Sequence, residues 1–264
     1  MAYETLLIEH RGPESFQVSW LYLNRPQAMN ALSMTGMREL REALIELRDR
    51  ANTRAIVISG KGRGFCAGAD LTGALPGDLP PGSPSFLDLG SAMEDVLNNL
   101  EKPVIAAING VTAGGGLELA LMCDFMLGMQ SARLGDAHAN FGALPGGGAT
   151  LRLPRVVGVN WARYLMFTGE LLSAVDAQAI GLLIRVFPDE TFEADVQAVA
   201  EKVAAKSPLG LKRMKMLVKD ALDQTTAAAL KNEKRVSAEH MVSEDAAEGG
   251  KAFAEKRKPV FKGR

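Results

Sequence analysis

The chain has 264 residues, 47% of them hydrophobic, which is enough for one large domain or for one domain with a smaller appendage. Thirty basic residues stand against thirty-one acidic ones, and the formal net charge of −1 gives no electrostatic footprint for nucleic acid or an anionic membrane. A phosphate-bearing small ligand is not excluded, because a single pocket can still be basic.

No amino-terminal stretch joins a basic head, an apolar run and a small-residue cleavage site. The most apolar region, Pro103 to Phe125, is interrupted by Asn109, several glycines, Glu118 and Asp124, which argues against a membrane span. Cys66 and Cys123 lie far apart and fit no metal or redox spacing. Both read as small buried thiols in a reducing compartment, and a cytoplasmic location is expected. No repeat of about 20–50 residues recurs, so a simple repeat array is set aside.

In chain order, Thr5 to His10 and Gln17 to Leu23 read as strands, with Val18, Trp20 and Tyr22 alternating with Ser19, Leu21 and Leu23 in the second. The turn signal Asn24-Arg25-Pro26 follows. Ser33 to Arg50 carries Met37, Leu40, Leu44 and Leu47 at helical spacing with charged residues between them. Arg54 to Ser59 is a short strand running into Gly60-Lys61-Gly62-Arg63-Gly64, and Leu75 to Pro84 reads as an exposed loop. A second cycle predicts a helix over Ser91 to Leu100, a buried strand over Pro103 to Ile108, a helix from Gly114 and a strand over Asp124 to Met129. Strand, glycine turn and helix recur in order, which predicts an α/β fold. From Asn160 onward the pattern is almost wholly helical, with a cap at Ser173 to Asp176, a stop at Gly181 and a new start at Ser207-Pro208.

Two segments can carry chemistry. Gly64 to Leu71 and Asn109 to Leu119 each follow a buried strand, and their small residues let backbone N–H groups approach a ligand. Two such turns facing each other can give two donors to one oxygen, the geometry of an oxyanion hole. The plainer use of such glycines is tight packing between strand and helix.

Glu118 has Leu121, Met122 and Phe125 on its own helix face, so a carboxylate sits on an apolar stripe, a placement suited to a general acid/base. Its plainer reading is a structural glutamate near a helix start. His138 is the histidine close to this region in sequence, able to exchange protons or to serve as a satisfied structural donor. Asp136 reads as a cap, and Leu144 to Gly148 is a third glycine turn with no acidic or nucleophilic residue immediately inside it.

Ordered motifs run along nearly the whole chain. They are Leu23 to Pro26 with Met29 to Leu32, Phe65 to Leu71, Lys102 to Gly110, Gly114 to Ala120, Leu144 to Gly148, Leu165 to Gly169, Ala177 to Leu182 and Phe253 to Arg257. Together they resemble the crotonase superfamily, the enoyl-CoA hydratase/isomerase family. The resemblance implies a spiral core of repeated ββα units over residues 1–206, carrying a CoA-thioester site. It implies a helical region over 207–264 used to form a homotrimer, with trimers pairing into hexamers. The oxyanion donors it implies are the N–H groups of Ala69 and Gly115. Ala28, Met29, Ala67, Asp70 and Leu71 would border the CoA, and Lys256 aligns with a position that reaches its phosphates. In the hydratases of the family two glutamates handle water and proton. Glu118 matches the first, and His138 stands where the second is expected.

That departure keeps several activities open. Hydration of a 2-enoyl-CoA through an oxyanion-stabilised enolate is the leading expectation, with Glu118 and His138 sharing the proton work. Double-bond isomerisation needs one acid/base, thioester hydrolysis uses the same oxyanion hole, and an acyl-CoA-binding member with lost activity is a further alternative. Gly62 to Ala67 formally matches a dinucleotide fingerprint, but a proline- and glycine-rich stretch follows where a helix is needed. No Walker or nucleophile-elbow pattern and no metal-ligand cluster occurs. The chemistry is therefore expected to use no cofactor and no metal, with coenzyme A arriving as part of the substrate.

Overall fold

The computed structural model describes residues 3–70, 72 and 82–264. Strands β1 (Leu6–Arg11) and β2 (Gln17–Leu23) pair antiparallel. Helix α1 (Met34–Asp49) follows, its first turn closed by the Ser33 hydroxyl, which accepts from the Gly36 N–H. Three turns of one pattern come next, each laying down a strand in a first sheet, a shorter strand in a second sheet, and a helix. The first turn is β3 (Thr53–Gly60), β4 (Gly64–Cys66) and α2 (Phe86–Asn98). The second is β5 (Val104–Ile108), β6 (Val111–Ala113) and α3 (Gly115–Met122). The third is β7 (Phe125–Met129), β8 (Arg133–Gly135) and α4 (Ala149–Thr168).

Because β3, β5 and β7 pair in parallel, and β4, β6 and β8 likewise, the chain climbs one strand spacing, about 4.8 Å, per turn. This is the ββα spiral that the resemblance implies. Elements β9 (Leu172–Ser173), α5 (Ala174–Ala179), β10 (Arg185–Phe187) and α6 (Phe192–Ala204) complete this body. Helices α7 (Pro208–Ala221), α8 (Thr226–Met241) and α9 (Glu244–Ala254) follow. The sheet orders are β1-β2-β3-β5-β7-β10 and β4-β6-β8-β9.

Both faces of the first sheet are covered, so β2 is buried along nearly its whole length and not on alternate residues. Leu21 and Leu23 join Leu40, Leu44 and Leu47 of α1, while Val18, Trp20 and Tyr22 join Phe192, Val196 and Ala200 of α6. Each such burial contributes about 1.5–3 kcal/mol. Ser19 is tolerated among them because its hydroxyl meets Thr53 Oγ1 at 2.7 Å and His10 Nδ1 at 2.9 Å.

Several elements differ from the sequence expectation. Helix α2 starts at Phe86 because Ser85 and Asp88 form a reciprocal capping box at the end of the proline-rich stretch. Helix α4 starts at Ala149, its periodicity masked by Pro154 and by a kink at Gly158 (φ +78°). Strand β10 lies in a stretch read as helical, and three residues beside β7 are too few to show a period. Most of the Leu75 to Pro84 loop lies outside the described residues. No described helix is long and apolar enough to cross a membrane.

Candidate active site

The site forms where the spiral's glycine turns meet. After β4, Gly68 takes φ +116°, a conformation that favours glycine, and Leu32 pairs with Ala69 in a parallel bridge. Leu32 N–H donates to the Gly68 carbonyl and Asp70 N–H to the Leu32 carbonyl, both at 2.8 Å. These bonds use the peptide groups flanking Ala69 and turn its own N–H to the opposite side, toward α3. There Gly115 opens the helix, with Gly114 before it at φ +52° and no side chain capping the end. A Cβ on Gly115 would lie 3.7 Å from the Ala69 nitrogen. Among the described residues neither the Ala69 nor the Gly115 N–H donates to a backbone carbonyl, so two neighbouring donors remain free. The next glycine serves packing instead: a Cβ on Gly116 would strike the Cys66 carbonyl.

Glu118 sits in the first turn of α3 and is only 6% exposed. Its Oε1 accepts from Gly147 N–H at 2.7 Å and Ala149 N–H at 3.1 Å, so the third glycine turn and the start of α4 hold one carboxylate oxygen. The other oxygen, Oε2, stands 3.9 Å from His138 Nε2. That gap is too long for a direct hydrogen bond, yet both atoms can reach one bridging atom about 2.8 Å from each. A Cβ on Gly114 would lie 3.7 Å from His138 Nε2 and 3.8 Å from Gly68 Cα. The Glu118–His138 pair and the two N–H donors thus share one wall.

Arg152 braces this wall from behind. Its Nη1 donates to the Gly147 carbonyl at 3.0 Å, and its Nη2 reaches Glu94 at 2.5 Å and Asn98 at 3.2 Å. The sequence reading marked Gly147 only as part of a glycine turn and gave no sign of Arg152 or Ala149. Two of those contributions are backbone N–H groups, which leave no side-chain signature.

The residues expected to border CoA are brought together around the Leu32–Ala69 bridge. Met29 and Asn30 both take positive φ, at +50° and +57°, and buried Asn30 compensates by bonding across the turn. Its Oδ1 accepts from Arg25 N–H, and its Nδ2 donates to the Lys61 and Gly64 carbonyls. Ala67 N–H donates to the Met29 carbonyl at 3.0 Å, which lays Ala28 and Met29 beside Ala67. Arg25 pairs with Asp70 at 2.9 Å and holds that carboxyl below the usual carboxylate range. Leu71 lies outside the described residues.

Lys256 is exposed at φ +53° just beyond α9, and no hydrogen bond or ion pair among the described residues engages its side chain. The tail after it is tied through the Phe261 carbonyl to Arg54. Neither thiol is poised for chemistry, since burial pushes Cys66 up to about 12 and raises Cys123 as well. Among the described residues no three His, Cys, Asp or Glu side chains cluster to hold a metal ion.

A buried carboxylate facing an imidazole, beside two free N–H donors, is an arrangement able to polarise a carbonyl and move a proton next to it. Comparisons with known proteins agree with that chemistry. The enoyl-CoA hydratase/isomerase family model matches residues 14–264. Crotonyl-CoA hydratase of Syntrophomonas wolfei is 34% identical over 263 residues, covering 99% of each chain. The mitochondrial enoyl-CoA hydratase of Pongo abelii is 36% identical over 98% of this chain and 88% of its own. The crystal structure of an enoyl-CoA hydratase from Bacillus anthracis superposes with a TM-score of 0.91 at 33% identity, covering 99% of this chain and 100% of that one. With the spiral fold and near-complete coverage in each comparison, the chain belongs to the enoyl-CoA hydratase/isomerase family.

Proposed function

We propose that this protein is an enoyl-CoA hydratase, adding water across the 2,3 double bond of a 2-enoyl-CoA thioester. One observation carries the reading: the Glu118–His138 pair, 3.9 Å apart, stands against the wall that also offers the Ala69 and Gly115 N–H groups. The thioester oxygen takes those two donors, and negative charge gathers on it as the enolate-like state forms. Losing one such donor typically costs about 3–4 kcal/mol of barrier lowering.

Water bridges Glu118 Oε2 and His138 Nε2. As its oxygen bonds to C3, its proton passes to Glu118, and protonated His138 delivers a proton to C2. Transfer of the proton from Glu118 to His138 then restores the pair, so the product gains one hydroxyl and one hydrogen from a single water. The CoA lies along Ala28, Met29, Ala67 and Asp70, and no metal or further cofactor enters the step. Exposed Trp161, Tyr164 and Phe167 on α4, with Met214 and Val218 on α7, support assembly into a homotrimer or a hexamer.

One observation favours a second reading. Glu118 is the sole carboxylate of the facing pair, and one acid/base suffices to carry a proton between C2 and C4, which is isomerisation of a 3-enoyl-CoA. The discriminating experiment incubates the protein with crotonyl-CoA and identifies the product by mass. Formation of 3-hydroxybutyryl-CoA, lost in Glu118→Gln, is the expected result. Unchanged crotonyl-CoA together with turnover of a 3-enoyl-CoA would replace hydration with isomerisation.

A further inference from the structure

We propose that Asp136 is a positioning residue that fixes His138 as its Nδ1–H tautomer and presents Nε2 to Glu118, so that three side chains form one proton-handling unit. The proposal rests on the hydratase reading only for its kinetic test.

Asp136 follows β8 directly and is 1% exposed. Its Oδ1 faces two donors of one residue, the His138 backbone N–H at 3.3 Å and the ring Nδ1 at 3.1 Å. Between them Ala137 takes φ +60°, an unusual conformation for a residue with a side chain, and this tight turn brings the ring back over the carboxylate. An ionised carboxylate only accepts, so Nδ1 must carry the proton and Nε2 is the nitrogen left for exchange. That nitrogen is the one facing Glu118.

Two further facts separate this arrangement from a simple turn. Asp136 Oδ2 is buried and has no hydrogen-bond partner among the described residues, a costly state for a group whose only duty is to hold a loop. The backbone carbonyl of Asp136 accepts the Gly114 N–H at 2.6 Å. One residue therefore anchors the acid/base through its side chain and the turn before the Gly115 donor through its backbone. Substituting the side chain leaves the second bond in place.

The test is a double-mutant cycle on crotonyl-CoA hydration with Asp136→Ala and His138→Gln, read with the nitrogen NMR spectrum of His138 in the wild-type protein. Each single variant should lower kcat about a hundredfold with little change in KM, and the double variant should fall no further than His138→Gln alone. The NMR spectrum should show protonated Nδ1 and unprotonated Nε2 in the neutral ring. Losses that multiply in the double variant, or a ring protonated at Nε2, would overturn the proposal. Asp136→Asn keeps the volume of the side chain should Asp136→Ala not fold, and it must show the same non-additivity with His138→Gln. Failure of wild-type hydration would sink the hydratase reading alone, because the tautomer is measured without substrate.

Discussion

The body and the three last helices are held by different forces. In β3 and β5 nearly every residue is buried, and the side chains of the spiral pack into two apolar clusters. In α7, α8 and α9 the buried residues are Gly210, Val236, Asp245 and Ala252. Polar pins do the fastening there: Lys212 to Glu101 at 2.6 Å, Lys215 to Asp124 at 2.9 Å and Lys219 to the Asn98 carbonyl at 2.9 Å. Meanwhile Leu222, Leu230, Val242 and Phe253 stay exposed. Apolar burial holds the body and the site within it, whereas the carboxy-terminal helices rest on it mainly through polar bonds and keep these apolar side chains exposed.

If that division is right, the largest effect of any single change belongs to the site and not to stability. Glu118→Gln keeps an oxygen for the Gly147 and Ala149 donors but removes the acid/base. The expected loss in kcat is about a thousandfold or more, equivalent to about 4 kcal/mol of barrier, with the thermal midpoint nearly unchanged. Steady-state rates and a melting curve on one preparation check both halves. A large fall in melting temperature would make Glu118 structural.

Core truncation should separate the two regions. Ile58, fully buried in β3, should cost about 3 kcal/mol when changed to alanine, seen as a lower urea midpoint for the whole transition. Val236→Ala in α8 should cost less than half of that and loosen only amides of α7 to α9 in hydrogen exchange. Equal costs, or global loosening in both variants, would erase the distinction.

Asp245 is the strongest pin. Burial pushes its carboxyl upward, but the Ser207 hydroxyl, the N–H groups of Lys262 and Gly263 and nearby Arg54 outweigh that and hold it below the ordinary aspartate range. A lowered folded value means the stabilisation is fully present above the ordinary value of 3.8 and is lost as pH falls through the lower folded one. Asp245→Ala should cost about 2 kcal/mol at neutral pH, where several donors lose a charged acceptor. Hydrogen exchange on α9 and the tail should show that loss at pH 7 in the variant, and in the wild type only on acidification below the ordinary value. Protection that is insensitive to acid in the wild type would mean another contact fastens the tail.

What was readable in the sequence follows the same line. Gln17 to Leu23 and the face of Met37, Leu40, Leu44 and Leu47 showed as period and composition because a core selects side chains. Glu118 showed as a carboxylate out of place on an apolar stripe. Its partners did not, since Gly147 and Ala149 act through backbone N–H groups 29 and 31 residues away, and any residue but proline has one. Arg152 carried no signal at all, and Asp136 looked like a cap until the fold set it beside His138. Strand β10 exists because β7 offers an edge, which three residues cannot announce.

The smallest effect is expected at Lys215, and it bears directly on how lightly the last helices rest. Its ammonium donates to the Lys102 carbonyl at 3.0 Å and to Asp124 Oδ2 at 2.9 Å, with both partners partly open to solvent. Asp124 keeps its other bond, from the Val104 N–H at 2.7 Å, so Lys215→Ala strands no buried charge. The cost should be about 0.5–1 kcal/mol and should shrink further as salt screens the pair. Urea midpoints of wild type and variant, taken at low and high salt, should converge. A loss above about 2 kcal/mol, unmoved by salt, would mean that α7 belongs to the packed body.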